Sequence, residues 1–111
     1  MLLPYRTTWS EFEVQSLAFG ILRKNLYPDY LVRGEYKFEH CRVDIAIWKP
    51  TPDKREADLI CVVEVKKRAN GNSKLQEAKY QQLLGVPVVF IQGGNDAYNA
   101  VELVKPYLVK S

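Results

Sequence analysis

An α/β fold built on a mixed four-stranded sheet is what this 111-residue sequence predicts, and three observations lead there. Two segments, residues 41–48 and 59–66, are almost continuously apolar, the pattern of strands buried on both faces. Between the second of them and a further apolar run at 86–92 lies a helix-length segment, which together make a right-handed parallel crossover. Apolar residues make up 47% and charged residues 26%, as in a globular domain and unlike a disordered or collagen-like chain. A chain of this size removes roughly two thirds of its unfolded surface on folding. One domain with its own core is therefore expected over residues 1–111.

The elements are justified in turn. Thr8, Trp9, Ser10 and Glu11 read as a capping box, followed at helical spacing by Val14, Leu17, Ala18, Ile21 and Leu22. A first helix is expected over about residues 8–26, stopped by Tyr27-Pro28-Asp29, because proline disfavours helix in the residue before it. Residues 31–39 set Arg33, Glu35 and Lys37 against Val32, Tyr36 and Phe38, the alternation of a half-exposed strand. Residues 49–58, with two prolines and several charges, form the loop between the two apolar strands. A basic, glycine-containing loop over 67–72 leads to Ser73, an N-cap for a second helix that ends at Gly85. After the fourth strand, Gly93-Gly-Asn-Asp96 turns into a last helix with Ala97, Ala100, Val101 and Val104 on one face, ended or kinked by Pro106. The order is αβββαβα, with three antiparallel strands and a fourth parallel to the third.

Composition sets outer bounds. A net charge of +3 and a pI near 8.9 permit an anionic partner without requiring one. No apolar run approaches the roughly 20 residues of a membrane span. The opening Met1 to Arg6 lacks the basic start and long apolar stretch of a signal peptide, so a cytoplasmic protein is expected. Cys41 and Cys61 lie in apolar stretches without metal-type spacing and read as buried free thiols. There is no repeat, low-complexity tract, Walker loop, zinc pattern or Ser-His-Asp set.

The anomaly is charge inside the driest strands. Val43 to Trp48 contains one carboxylate, Asp44, and Val62 to Lys66 contains Glu64 and Lys66. Side chains two apart on a strand share a face, so Glu64 and Lys66 point the same way, roughly 7 Å apart. A hairpin centred near residue 53 pairs residues whose numbers sum to about 106 to 108, which sets Asp44 beside Glu64 across one strand spacing of roughly 5 Å. Two carboxylates so close in a dry sheet are costly, and a divalent cation compensates them. Carboxylate oxygens suit Mg²⁺ or Mn²⁺, and a neighbouring lysine can hold a water or neutralise charge developing on a phosphoryl group. The plain alternative is a buried ion pair of Lys66 with Asp44 or Glu64. Two acids for one base is a poor way to stabilise a core.

Text matches alone mislead. Chance places Glu-x-Lys about once in 240 residues, yet Glu35-Tyr-Lys37, Glu64-Val-Lys66 and Glu77-Ala-Lys79 all occur here. Asp29 precedes the first, but five intervening residues are too few for a hairpin that returns it beside Glu35. Asp53 precedes the second, but belongs to the far end of the strand, roughly 20 Å or more from Glu64. Only Asp44 satisfies the geometry.

With these residues in place the chain resembles the PD-(D/E)xK nuclease superfamily, and more narrowly the N-terminal nuclease domain of type I restriction-enzyme R subunits and small stand-alone relatives. The resembling stretches are Ser10 to Gln15, Cys41 to Ala46, Val62 to Lys66, Gln76 to Tyr80 and Leu84 to Val88, in the family's order along nearly the whole chain. The resemblance implies a restriction-endonuclease-like αβββαβ core, with the four-stranded sheet flanked by helices. It implies a Mg²⁺ site at Asp44, Glu64 and the Val65 carbonyl, Mn²⁺ substituting, with Lys66 positioning the attacking water. Val43 stands where the family's proline would be, a harmless departure because that proline coordinates nothing. A glutamate of the first helix often completes such sites; Glu11 matches best and Glu13 is close behind, while Glu11 serves equally well as the second half of the capping box. Gln76 and Tyr80 match a Gln-x-x-x-Tyr signature that supports the site or touches DNA, against a Ser73–Gln76 capping box and a packed aromatic. Lys67, Arg68 and Lys74 are placed to contact phosphates, or to line a solvated loop.

The expected activity is Mg²⁺-dependent endonucleolytic cleavage of DNA, of restriction or recombination type. The expected assembly is a homodimer, with other subunits of such a system as further partners and no membrane. A non-catalytic DNA-binding or assembly subunit with the same fold is the competing expectation, and an RNA-directed or exonucleolytic enzyme a weaker one.

Overall fold

A computed structural model describes residues 10–66 and 72–108, with side chains in the second segment from residue 78 onward. Its elements are α1 (Glu11–Leu26), β1 (Leu31–Lys37), β2 (Arg42–Pro50), β3 (Ala57–Lys66), α2 (Asn72–Leu84), β4 (Val88–Gln92), α3 (Gly93–Tyr98) and α4 (Ala100–Leu108). The strands form one open sheet in the order β1-β2-β3-β4, antiparallel across the first two pairings and parallel between β3 and β4. This is the mixed α/β architecture the pattern predicts.

Its helices divide between the faces. On one face α1, α3 and α4 bury Val14, Ala18, Leu22, Ala97, Ala100 and Val104 against Ile45, Ile47, Cys61, Val63, Val65, Val89 and Ile91. On the other, Tyr80 of α2 packs with Val43, Ala46, Val62 and Val88. β3 is therefore covered on both sides, and Ile60 through Val65 are all buried. That explains its unbroken apolar run. Burying each such Val or Ile contributes roughly 1.5–3 kcal/mol, enough to keep the strand dry around the one acid it holds.

Several element ends differ from the sequence-based expectation. The α1 cap is Ser10, whose hydroxyl accepts the Glu13 N–H at 3.1 Å while the Glu13 carboxylate accepts the Ser10 N–H at 3.0 Å. The box is thus Ser10 with Glu13, not Thr8 with Glu11, and Thr8 lies outside the described residues. Both pairs have the required spacing, so text could not choose between them. The helix stops at Leu26, and Tyr27 before Pro28 is extended at φ −77°, ψ 141°. α2 begins at Asn72, which puts Ser73 inside its first turn rather than before it.

The last helix is two. Asn99 separates α3 from α4, and Pro106 lies within α4 rather than ending it. A proline in a helix removes one backbone hydrogen bond, and Tyr30 Oη holds this part of α4 by donating to the Leu108 carbonyl at 2.7 Å. Cys61 is buried as expected. Cys41 is half-buried, just past the β1–β2 turn, where Phe38 N–H donates to its carbonyl at 2.7 Å. No helix among the described residues is long and apolar enough to cross a membrane.

Candidate functional site

The site grows out of the register of β2 on β3. Ile45 faces Val63, Ala46 faces Val62 and Ile47 faces Cys61, so the residue numbers sum to 108. A bulge at Ile47/Trp48 then shifts the sum to 107 toward the closing turn, with Ile60 as the extra residue. Carrying the register past Ile45 sets Asp44 opposite Glu64, as the hairpin arithmetic predicts.

There the ladder gives way to side chains. Asp44 N–H donates to Glu64 Oε2 at 2.9 Å, and Val65 N–H donates to Asp44 Oδ2 at 2.8 Å. Each carboxylate thus replaces a strand carbonyl as the acceptor for its neighbour. The backbone explains how. Val43 packs on the α2 face while Ile45 packs on the α1 face, so strict alternation fails at Asp44. The residue opposite Asp44 on β1, between Gly34 facing Ile45 and Tyr36 facing Val43, is Glu35, whose φ is 48°. A left-handed residue is an uncommon kink in a strand, and it coincides with the rotation that turns Asp44 toward β3.

Electrostatics mark Glu64 out. It is 4% exposed, the buried charged residue of the described core. Burial, first, pushes its carboxyl up; the Asp44 N–H acts against this, the nearby Asp44 charge adds to it, and the Tyr80 hydroxyl favours the ionised form. The result is a pKa of about 7. Tyr80 Oη lies 3.3 Å from the Arg42 carbonyl as well, so the α2 tyrosine bridges strand end and acid. Tyr80, expected either as a packed aromatic or as site support, is packed at 8% exposure with its hydroxyl toward Glu64.

Lys66 occupies the last position of β3, half-buried, facing Gln92 of β4. The parallel register places Glu64 with Phe90 and Lys66 with Gln92 on the α2 side, so acid and base share a face. Among the described residues Lys66 forms no ion pair with Asp44 or Glu64. The buried ion pair that would make this cluster merely structural is not formed. Val65 adds a third oxygen. Its N–H points toward β2, and a strand residue's N–H and C=O face the same neighbour. The Val65 carbonyl therefore turns toward β2, beyond the last β2–β3 pair.

The other expected site residues divide clearly. Glu11 and Glu13 lie in the first turn of α1, on the helix packed against the opposite face, and Glu13 is engaged in the cap. No group of three or more His, Cys, Asp or Glu side chains gathers among the described residues, so neither glutamate joins Asp44 and Glu64. Gln76 and Lys74 lie on α2 within the stretch described by backbone alone. Lys67 and Arg68 lie outside the described residues. The rejected matches are explained locally. Asp53 accepts from Thr51 Oγ1 at 2.7 Å and Arg55 N–H at 3.0 Å in the β2–β3 turn, and Glu35 stands 3.7 Å from Arg42.

Comparison with protein-family models, with curated proteins and with solved structures finds no match for this chain.

Proposed function

We propose that this protein is a Mg²⁺-dependent endodeoxyribonuclease of restriction or recombination type, working as a homodimer on DNA. The observation that supports this reading best is the Asp44–Glu64 pair: two neighbouring carboxylates, each held by a backbone N–H across β2 and β3 at a sheet end, one of them 4% exposed, with the adjacent Lys66 paired to neither among the described residues. An arrangement that raises an acid to a pKa of about 7 costs stability in the bare protein. Such a cost is expected where a cation belongs. The order αβββαβ, with a mixed four-stranded sheet flanked by helices, is compatible with a restriction-endonuclease-like core.

The donor set fits a hard divalent ion. Asp44, Glu64 and the Val65 carbonyl offer oxygen only, and each carboxylate uses one oxygen on a backbone N–H that fixes its direction. When bound, Mg²⁺ supplies Lewis-acid stabilisation of phosphoryl charge and acidifies a water. The chain's own part is to hold and to orient. Asp44 and Glu64 hold the ion, Tyr80 favours the ionised Glu64, and Lys66, on the same face, directs the attacking water toward phosphorus. Two copies place two such sites on the two strands of a duplex.

The test is plasmid nicking with Mg²⁺ for the parent, Asp44→Ala and Lys66→Ala. The parent should convert supercoiled plasmid, and each variant should lose about 100-fold or more of the rate. Variants that cut as well as the parent remove these residues from the mechanism. Calorimetric Mn²⁺ titration separates the scaffold alternative, since a non-catalytic subunit shows no binding that depends on Asp44 and Glu64.

A further inference from the structure

β1 and β2 change face together beside the acidic pair, and the edge strand carries the backbone strain of that change. Gly34 lies on the α1 face, where a Cβ would stand 3.5 Å from the Phe19 ring, and its partner Ile45 packs on the same face. Tyr36 lies on the α2 face, its ring centroid 5.3 Å from that of Trp48, and its partner Val43 packs there too. Residues two apart on a regular strand share a face, so Glu35 in β1 and Asp44 in β2 each absorb a half-turn. Between the two flanking pairs the ladder skips Glu35 and Asp44, and the Asp44 N–H goes to Glu64 Oε2 instead. Of these two residues only Glu35 is left-handed, at φ 48°. The other left-handed non-glycine among the described residues, Lys54, sits between β2 and β3 in a turn, where such geometry is ordinary.

We infer that Glu35 is a positioning residue for Asp44: its left-handed backbone, not its carboxylate, turns the two strands together and so aims the Asp44 carboxylate at the Val65 N–H. Left-handed geometry is unfavourable for any residue with a Cβ, and Gly34, one position earlier, would adopt it freely. Gly34 is not left-handed, so the kink follows the position opposite Asp44 rather than the residue best suited to it. The Glu35 side chain does not hold the kink, since it is 63% exposed and stands 3.7 Å from a similarly exposed Arg42, a weak pair. The flanks hold it instead, with Phe19 against Gly34 and Trp48 beside Tyr36. The edge position matters as well. β1 pairs on one side only, so a lost rung there costs one ladder, whereas a left-handed kink within β2 would disturb two. Strain kept in place by its surroundings is a recurrent way of fixing a functional group's direction.

The inference rests on the nuclease reading only for the ion that Asp44 would hold; the aim of its carboxylate is measured without metal. Amide hydrogen exchange of the full chain in EDTA, followed by NMR, reads the Val65 N–H directly, with Val63, paired with Ile45, as the reference. Glu35→Val disfavours left-handed φ, so Val65 exchange should speed up about 10-fold relative to Val63, and Mn²⁺ affinity by calorimetry should fall about 10-fold. Glu35→Gln, which lacks the charge, should match the parent in both. Glu35→Gly relieves the strain, so it should keep both and raise the folding equilibrium constant in urea about 5-fold over Glu35→Ala. If Glu35→Val does not fold, the Gly–Ala comparison decides. The inference is overturned if folded Glu35→Val keeps Val65 protection and Mn²⁺ affinity, or speeds Val63 and Val65 alike, as mere loosening of the edge would. It is equally overturned if Glu35→Gln loses them, or if Glu35→Gly is no more stable than Glu35→Ala. A responsive Val65 amide in a parent that binds no Mn²⁺ defeats the nuclease reading alone; Mn²⁺ binding with an indifferent Val65 amide defeats the positioning role alone.

Discussion

The β2–β3 hairpin has an aspartate or glutamate accepting backbone N–H groups at each end, and the two acids respond in opposite ways. At the closed end Asp53 takes hydrogen bonds from Thr51 and Arg55 in open solvent, and these hold its carboxyl below the usual range. At the open end Glu64 also accepts a backbone N–H, yet burial and the charge of Asp44 raise it to about 7. A hydrogen bond favours the ionised form at both ends. Desolvation reverses the balance at one of them. The same motif is turn chemistry where water reaches it and a candidate ion site where the sheet excludes water.

Experiments can break this contrast, beginning with the largest effect. If the open end is the reactive one, Asp44→Ala and Lys66→Ala abolish plasmid cleavage, whereas Asp53→Asn cuts like the parent; a loss at Asp53 would reverse the assignment. Next comes stability against pH. The folded pKa of Glu64, about 7, lies above its ordinary value of 4.5, so the folded state holds the proton more tightly. This contribution is complete below pH 4.5 and is lost as pH rises through 7, a loss of about 3 kcal/mol. Glu64→Gln keeps an acceptor for the Asp44 N–H but cannot ionise. Urea melts should find it about 2–3 kcal/mol more stable than the parent at pH 8.5 and equal at pH 4.5. Equal stability at both would show that Glu64 is not held in a dry site.

Metal linkage is subtler. A cation must displace the Glu64 proton, so Mn²⁺ affinity measured by calorimetry should rise from pH 5.5 to 7.5 and then level, with proton release below 7. A flat profile would place the ion away from Glu64. The smallest effect belongs to Asp53→Asn, which should leave Mn²⁺ affinity unchanged at every pH.

Much of this was legible in text because it depends on local periodicity. The two-residue repeat of Arg33 to Phe38, the dry runs around Ile45 and Val63, and the left-handed Gly85 at φ 70° after α2 each reflect a short-range rule. The hairpin sum locating Asp44 opposite Glu64 needed only strand pairing and a loop midpoint. It survived the bulge at Ile60 because the bulge shifts the sum by one, on the turn side of the site. Local rules fail where two solutions share one spacing, as with Glu11 and Glu13 at the α1 cap.

What the chain alone determined, then, is the succession of strands and helices, the mixed sheet and the pairing of an isolated aspartate with a Glu–Lys couple, because these follow from alternation and chain length. Only the tertiary structure decided which way those side chains turn. The left-handed Glu35 opposite Asp44, the Asp44 carboxylate on Val65 N–H and the Tyr80 hydroxyl acting on Glu64 join residues 9 to 21 positions apart along the chain or more distant in packing. Burial of Glu64 to 4% is likewise a sum over neighbours from the packed layers around β3. Orientation and desolvation are properties of assembled surfaces, and no window of sequence contains them.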